Sequence, residues 1–107
     1  MESNHRINTL LDLLKQEPQD LFLNYALGIE YAANSRALKQ AEEKFKYVLS
    51  LDENYLAAYY QLGKLYEAQQ NIAEALNYFK RGLEKAREKK DNKAVNEFNE
   101  AVFMLED

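Results

Sequence analysis

Few of the 107 residues are equipped for chemistry. There is one histidine, His5, and no cysteine. That rules out a thiolate nucleophile, a disulfide and any Cys-based zinc site. His5 has no second imidazole to share a metal with. The 18 Asp and Glu side chains are numerous, but they fall on polar faces with Lys or Arg at i±4, which is the pattern of solvated helix surfaces and not of a cation cage. No Ser–His–Asp set, nucleophile elbow or glycine-rich phosphate loop is present. The sequence therefore predicts no catalytic residues, no metal, no cofactor and no enzymatic activity.

Charge narrows the partners. The formal net charge is -4, the opposite of the basic footprint that nucleic-acid binding requires. The one basic stretch, residues 80–93, carries Lys80, Arg81, Lys85, Arg87, Lys89, Lys90 and Lys93 against Glu84, Glu88 and Asp91. Cations gathered toward the end of a helix complement its dipole, so this region reads as a solvated outer face. No apolar run approaches the roughly 18 residues of a membrane span, and the start of the chain is too polar and acidic for a signal peptide. Neither nucleic acid nor membrane is expected as a partner, and the expected location is cytoplasmic.

The elements that would position any binding surface are helical from end to end. One proline (Pro18) and three glycines (Gly28, Gly63, Gly82) are the only strong breakers, and helix formers dominate. Apolar residues recur at helical spacing: Ile7, Leu10, Leu11 and Leu14; Leu23, Leu27 and Tyr31; Leu38, Ala41, Phe45, Val48 and Leu49; Tyr55, Tyr59, Leu62 and Tyr66; Ile72, Ala75, Leu76, Phe79, Leu83 and Ala86; and Ala94, Val95, Phe98, Ala101, Val102 and Leu105. Short polar stretches separate these six stripes. Pro18 cannot continue the first helix and Asp20 can cap the second. Asn34-Ser35, Asp52-Glu53-Asn54, Asn71 and Asp91-Asn92 mark the later junctions, with Asp52-Glu53-Asn54 expected to cap the fourth helix. Connections this short predict antiparallel helical hairpins.

The chain also repeats itself. Leu27-Gly28-x-x-Tyr31 returns as Leu62-Gly63-x-x-Tyr66 after 35 positions, and Ala41-x-x-x-Phe45 returns as Ala75-x-x-x-Phe79 after 34. An extra residue in the first hairpin turn, around Ala33–Arg36, accounts for the difference. This pattern resembles the tetratricopeptide repeat (TPR), whose first helix carries a large aromatic, Leu-Gly and Tyr, and whose second carries Ala and Phe. The second repeat reads Tyr59, Leu62, Gly63, Tyr66, Ala75 and Phe79. The first reads Leu27, Gly28, Tyr31, Ala41 and Phe45, with Asn24 in the aromatic slot. Pro18 falls where the turn proline of a preceding repeat belongs, and Leu10, Leu13 and Leu14 resemble that repeat's second helix.

The resemblance implies an all-α fold: a right-handed superhelical stack of antiparallel helix pairs, with two repeats plus N-terminal and C-terminal capping helices. Residues 1–107 would form one TPR-like domain, divided into a half-repeat helix at 3–16, repeat 1 at 20–51, repeat 2 at 54–87 and a capping helix at 91–106. Gly28, Gly63, Ala41 and Ala75 would let paired helices approach closely, while Tyr31, Tyr66, Phe45 and Phe79 fill the space between hairpins. The capping helix would turn Lys93, Glu97, Glu100 and Asp107 outward and leave Phe103 and Met104 off its apolar stripe.

The same resemblance implies a function. First helices of such pairs line a concave surface that binds partner peptides. By position, Phe22, Tyr25, Ile29 and Ala32 would face it from repeat 1, and Tyr60, Lys64 and Glu67 from repeat 2. A TPR subclass grips the acidic tails of heat-shock chaperones with Lys, Asn and Arg. The matching positions here are Tyr25, Ile29 and Gln61, which lack that chemistry, so an apolar or mixed segment is the expected ligand. The chain is thus expected to be an adaptor or scaffold module holding a peptide or helix of another protein. The alternative is a self-associating module that forms a homodimer through exposed terminal helices.

Overall fold

The computed structural model describes residues 2–106, with side chains from Asn4 onward. Asp107, expected on the outer face of the last helix, lies outside the described residues. The fold is all-α. Six α-helices run through the described residues: α1 (Glu2–Gln16), α2 (Leu21–Ala32), α3 (Leu38–Leu51), α4 (Leu56–Ala68), α5 (Ile72–Glu88) and α6 (Asn92–Leu105), with a 3-10 turn at Ser35–Ala37. The described residues form two compact units, divided between Glu53 and Asn54.

In the first unit α2 and α3 make a helical pair and α1 packs on α2. Leu27 on α2 and Ala41, Phe45 and Val48 on α3 are fully buried, the last three at the i, i+4 and i+7 spacing of a core stripe. The Phe45 ring lies on Gly28: a Cβ there would stand 2.6 Å from Phe45 Cε1. The glycine is therefore a seat for a ring from the partner helix. The close approach foreseen between two helix backbones is, in the molecule, one between ring and backbone within the pair. Asn24, in the slot where the repeat favours an aromatic, is only 1% exposed. Its Nδ2 donates to the carbonyls of Pro18 (3.1 Å) and Asp20 (2.8 Å), and its Oδ1 accepts from Lys44 Nζ at 3.4 Å. A buried amide is tolerated because its hydrogen-bonding groups find partners, and the bonds brace the turn into α2.

In the second unit α4 pairs with α5, and α5 with α6. The pairing is antiparallel: Tyr66 stacks on Tyr78 (centroids 5.6 Å apart), Phe79 lies on Gly63, and Tyr59 Cβ lies against Gly82. Rising numbers on α4 thus meet falling numbers on α5. Ala75, Phe79, Leu62 and Ala86 are fully buried. On the outer side the Arg81 guanidinium stands 4.8 Å from the Tyr78 ring centroid and 5.6 Å from that of Tyr59, a cation–π arrangement. The basic stretch is mostly exposed, and Lys80 pairs with Glu106 at 2.7 Å across α5 and α6.

Three of the helix starts follow local chemistry. Asp20, Asn71 and Asp91 accept backbone N–H bonds from Leu23 (2.8 Å), Glu74 (3.2 Å) and Ala94 (3.1 Å), as N-caps do. Asn34 accepts from Arg36 N at 2.9 Å and starts the 3-10 turn that absorbs the extra residue of the first hairpin. The starts of α3 and α4 differ. Their cap positions are Ala37 and Tyr55, and neither makes a side-chain cap bond. The expectation that Asp52-Glu53-Asn54 would cap α4 is corrected: the cap position falls on Tyr55, the residue after them. At the other ends, α4 and α5 close with Gln70 (φ 62°) and Lys90 (φ 58°) in the left-handed region. Asn71 N donates to Tyr66 O (2.9 Å) and Asp91 N to Ala86 O (3.0 Å), the six-to-one bond of a Schellman ending.

Candidate functional site

A cleft of about 410 Å³ opens in the second unit, walled by Tyr60, Lys64 and Glu67 of α4 and by Glu97, Glu100, Ala101 and Met104 of α6. The spacing explains the walls. Positions 60, 64 and 67 lie at i, i+4 and i+7, one stripe of α4. Positions 97, 100, 101 and 104 lie at i, i+3, i+4 and i+7, one stripe of α6. That second stripe is the flank beside the apolar face that buries Ala94 and Phe98, and Ala101 belongs to both.

The floor is aromatic and held firmly. The Tyr60 ring is half-buried, 5.6 Å from Phe79 and 5.9 Å edge-on from Phe98 between centroids. Phe98 in turn sits on Gly82, where a Cβ would stand 2.4 Å from its Cε1. Gly82 thus gives α6 the seat that Gly63 gives α5. Contact with two buried rings restricts Tyr60 before any ligand arrives, which lowers the rotamer entropy to be lost on binding. An amphipathic ring presented this way is well suited to contact with a partner.

The rim is charged. Lys64, Glu97 and Glu100 are exposed and Glu67 is half-buried. Among the described residues none of the four makes an ion pair. One cation thus faces three carboxylates. Met104, 72% exposed, adds an adaptable apolar lip. Phe103, 77% exposed, stands beside it in sequence but is not among the lining residues.

Of the residues expected at a binding surface, Tyr60, Lys64 and Glu67 line this cleft together. Phe22, Tyr25, Ile29 and Ala32 belong to the first unit. There Phe22 is 69% exposed, Ile29 and Ala32 are half-buried, and Tyr25 tilts against Phe45 with ring centroids 5.7 Å apart. The second wall was not foreseen: Glu97 and Glu100 read as the outside of a cap, and they are indeed exposed, but toward the cleft. A signal was present, since Gly82 and Phe98 stand sixteen positions apart, as do Gly63 and Phe79. A second cleft, of about 470 Å³, lies at the α1–α2 turn against Glu17, Pro18, Gln19, Asp20 and Tyr47. No helix among the described residues is long and apolar enough to cross a membrane.

The tetratricopeptide-repeat family model matches residues 32–96. None of the curated proteins matches the sequence. Among solved structures, the chain is similar to a tetratricopeptide repeat domain protein from Salinibacter ruber, at 32% identity and a TM-score of 0.77 over 84% of this chain and 90% of that one. It is similar to a protein from Bordetella parapertussis at 26% identity and a TM-score of 0.81, over 92% and 85%. In fold alone it is similar to the TPR2B domain of yeast Sti1, in a complex with pHsp70, at 15% identity and a TM-score of 0.85, over 97% and 82%.

Proposed function

The chain belongs to the tetratricopeptide-repeat family, and from that premise we propose that it binds a segment of another protein in the cleft between α4 and α6. The family generally mediates protein–protein interaction without catalysis. The observation that carries the reading is Tyr60: an aromatic locked by Phe79 and Phe98, at the base of a cleft whose rim charges have no ion-pair partners among the described residues. A fixed apolar anchor ringed by polar groups is the anatomy of a small binding hot spot. On this reading the chain is an adaptor or scaffold in a cytoplasmic setting, with no chemistry of its own. The likeness to the Sti1 domain is one of fold, so its bound partner does not carry over.

The test is to capture partners with the full chain, shorten the bound segment to a peptide, and titrate it into ¹⁵N-labelled protein. Amide shifts gathered on residues 60–67 and 97–104 are expected. Shifts confined to other surfaces would refute the cleft as the binding site.

A second reading rests on Phe103 and Met104, adjacent and both more than two-thirds exposed at the end of α6. Large apolar side chains presented together favour association, and a second copy is one way to cover them. Sedimentation of wild type and Phe103→Ser across a concentration series decides it. A wild type that stays monomeric throughout removes the dimer.

A further inference from the structure

We infer that the occupant of the α4–α6 cleft is a peptide segment carrying Lys or Arg next to an apolar side chain; this rests on the cleft being the binding surface. The rim sets Glu67, Glu97 and Glu100 against Lys64 alone. Some carboxylates elsewhere are matched at short range, Glu42 with Lys46 at 2.8 Å and Glu106 with Lys80 at 2.7 Å, and others, such as Glu84 and Glu88, make no ion pair among the described residues; what sets the rim apart is that three carboxylates converge on one cleft. In the cleft none of the four charged groups makes an ion pair among the described residues. Glu97 and Glu100 repel one another across a single turn of α6, and a cation arriving between the walls relieves that repulsion while meeting Glu67 on the facing helix. Walls of low dielectric on either side strengthen the attraction beyond what an open surface would give.

The apolar half of the occupant follows from the other lining residues. Tyr60, Ala101 and Met104 are the uncharged lining residues, and the Tyr60 ring rests against Phe79 and Phe98. A cleft of about 410 Å³ takes side chains, not a folded element. An acidic segment would set its carboxylates against three others. The chemistry thus selects a basic–apolar segment, docked by charge at the rim and by contact at the floor.

A phage-displayed random peptide library panned against the full chain tests this. Recovered peptides are made with a fluorescent label and titrated by anisotropy against wild type, Glu97→Gln/Glu100→Gln and the charge-neutral Met104→Gln. All three altered positions are exposed, and thermal melts verify that the variants fold. The expected result is enrichment of Lys or Arg beside Leu, Ile, Met or Phe, binding weakened at least about tenfold by the double variant, and further weakening as salt rises. Peptides that need Met104 but ignore the two glutamates overturn the basic-segment assignment alone. Peptides indifferent to Met104→Gln as well, or a selection that recovers none, overturn both this assignment and the cleft.

Discussion

The Phe98 ring rests on Gly82 so closely that a Cβ at position 82 would stand 2.4 Å from its Cε1. The relation repeats that of Phe79 to Gly63 in the same unit and of Phe45 to Gly28 in the other. In each case one helix gives up its side chain so that a phenylalanine from the next can lie on bare backbone. All three rings are at most 2% exposed. Burying a ring of this size contributes about 1.5–3 kcal/mol, so Phe98 anchors α6 to α5 by the same contact with which Phe79 anchors α5 to α4.

Gly82→Ala is therefore expected to destabilise the chain by about 1–3 kcal/mol through overpacking. The sign is informative, because on a solvated helix the same change would stabilise by about 1 kcal/mol. Urea unfolding measures it. A midpoint at or above that of wild type would mean that the ring has room to move. Gly63→Ala, 2.3 Å from Phe79 Cε1, should behave alike.

Gln70→Gly and Lys90→Gly are expected to act in the opposite direction. Both residues sit at positive φ just past a helix, where a Cβ is strained and glycine is not. Glycine's greater freedom in the unfolded chain offsets part of the relief, leaving a gain of up to about 1 kcal/mol each. A thermal melt of each variant, and of the pair, should show Tm rising. A fall in the pair would refute the strain argument.

Asn24→Ala is expected to cost about 1–3 kcal/mol. It strips a buried amide whose Nδ2 bonds the carbonyls of Pro18 and Asp20, leaving the turn into α2 unbraced. Hydrogen exchange of amides 19–24 should speed up more than that of α5. Uniform acceleration across the chain would show only a general loss of stability.

Asp91→Ala removes the N-cap of α6 and is expected to cost about 0.5–2 kcal/mol. The first turn of α6 lies next to Glu97 on the cleft wall, so peptide affinity should weaken along with stability. Asp91→Asn, which keeps the accepting oxygen, should restore both. A variant pair that behaves identically would assign the effect to charge instead of the cap.

Much of this molecule was legible in its residues because the forces concerned are local or periodic. Helical spacing of apolar residues, Asp20, Asn71 and Asp91 at helix starts, and the recurrence of Leu-Gly-x-x-Tyr are all set within a few turns of chain, and they led to the all-α fold and the family. What needed the tertiary structure was the azimuth at which α6 docks. Periodicity says which face of a helix is buried, but not which flank then meets a helix two elements earlier. That azimuth comes from Phe98 finding Gly82, and it turns Glu97, Glu100 and Met104 toward Tyr60, Lys64 and Glu67. The same limit explains Asn24 and Tyr55. A buried amide is read from its partners and a cap from its geometry, and neither is fixed until the chain has folded back on itself.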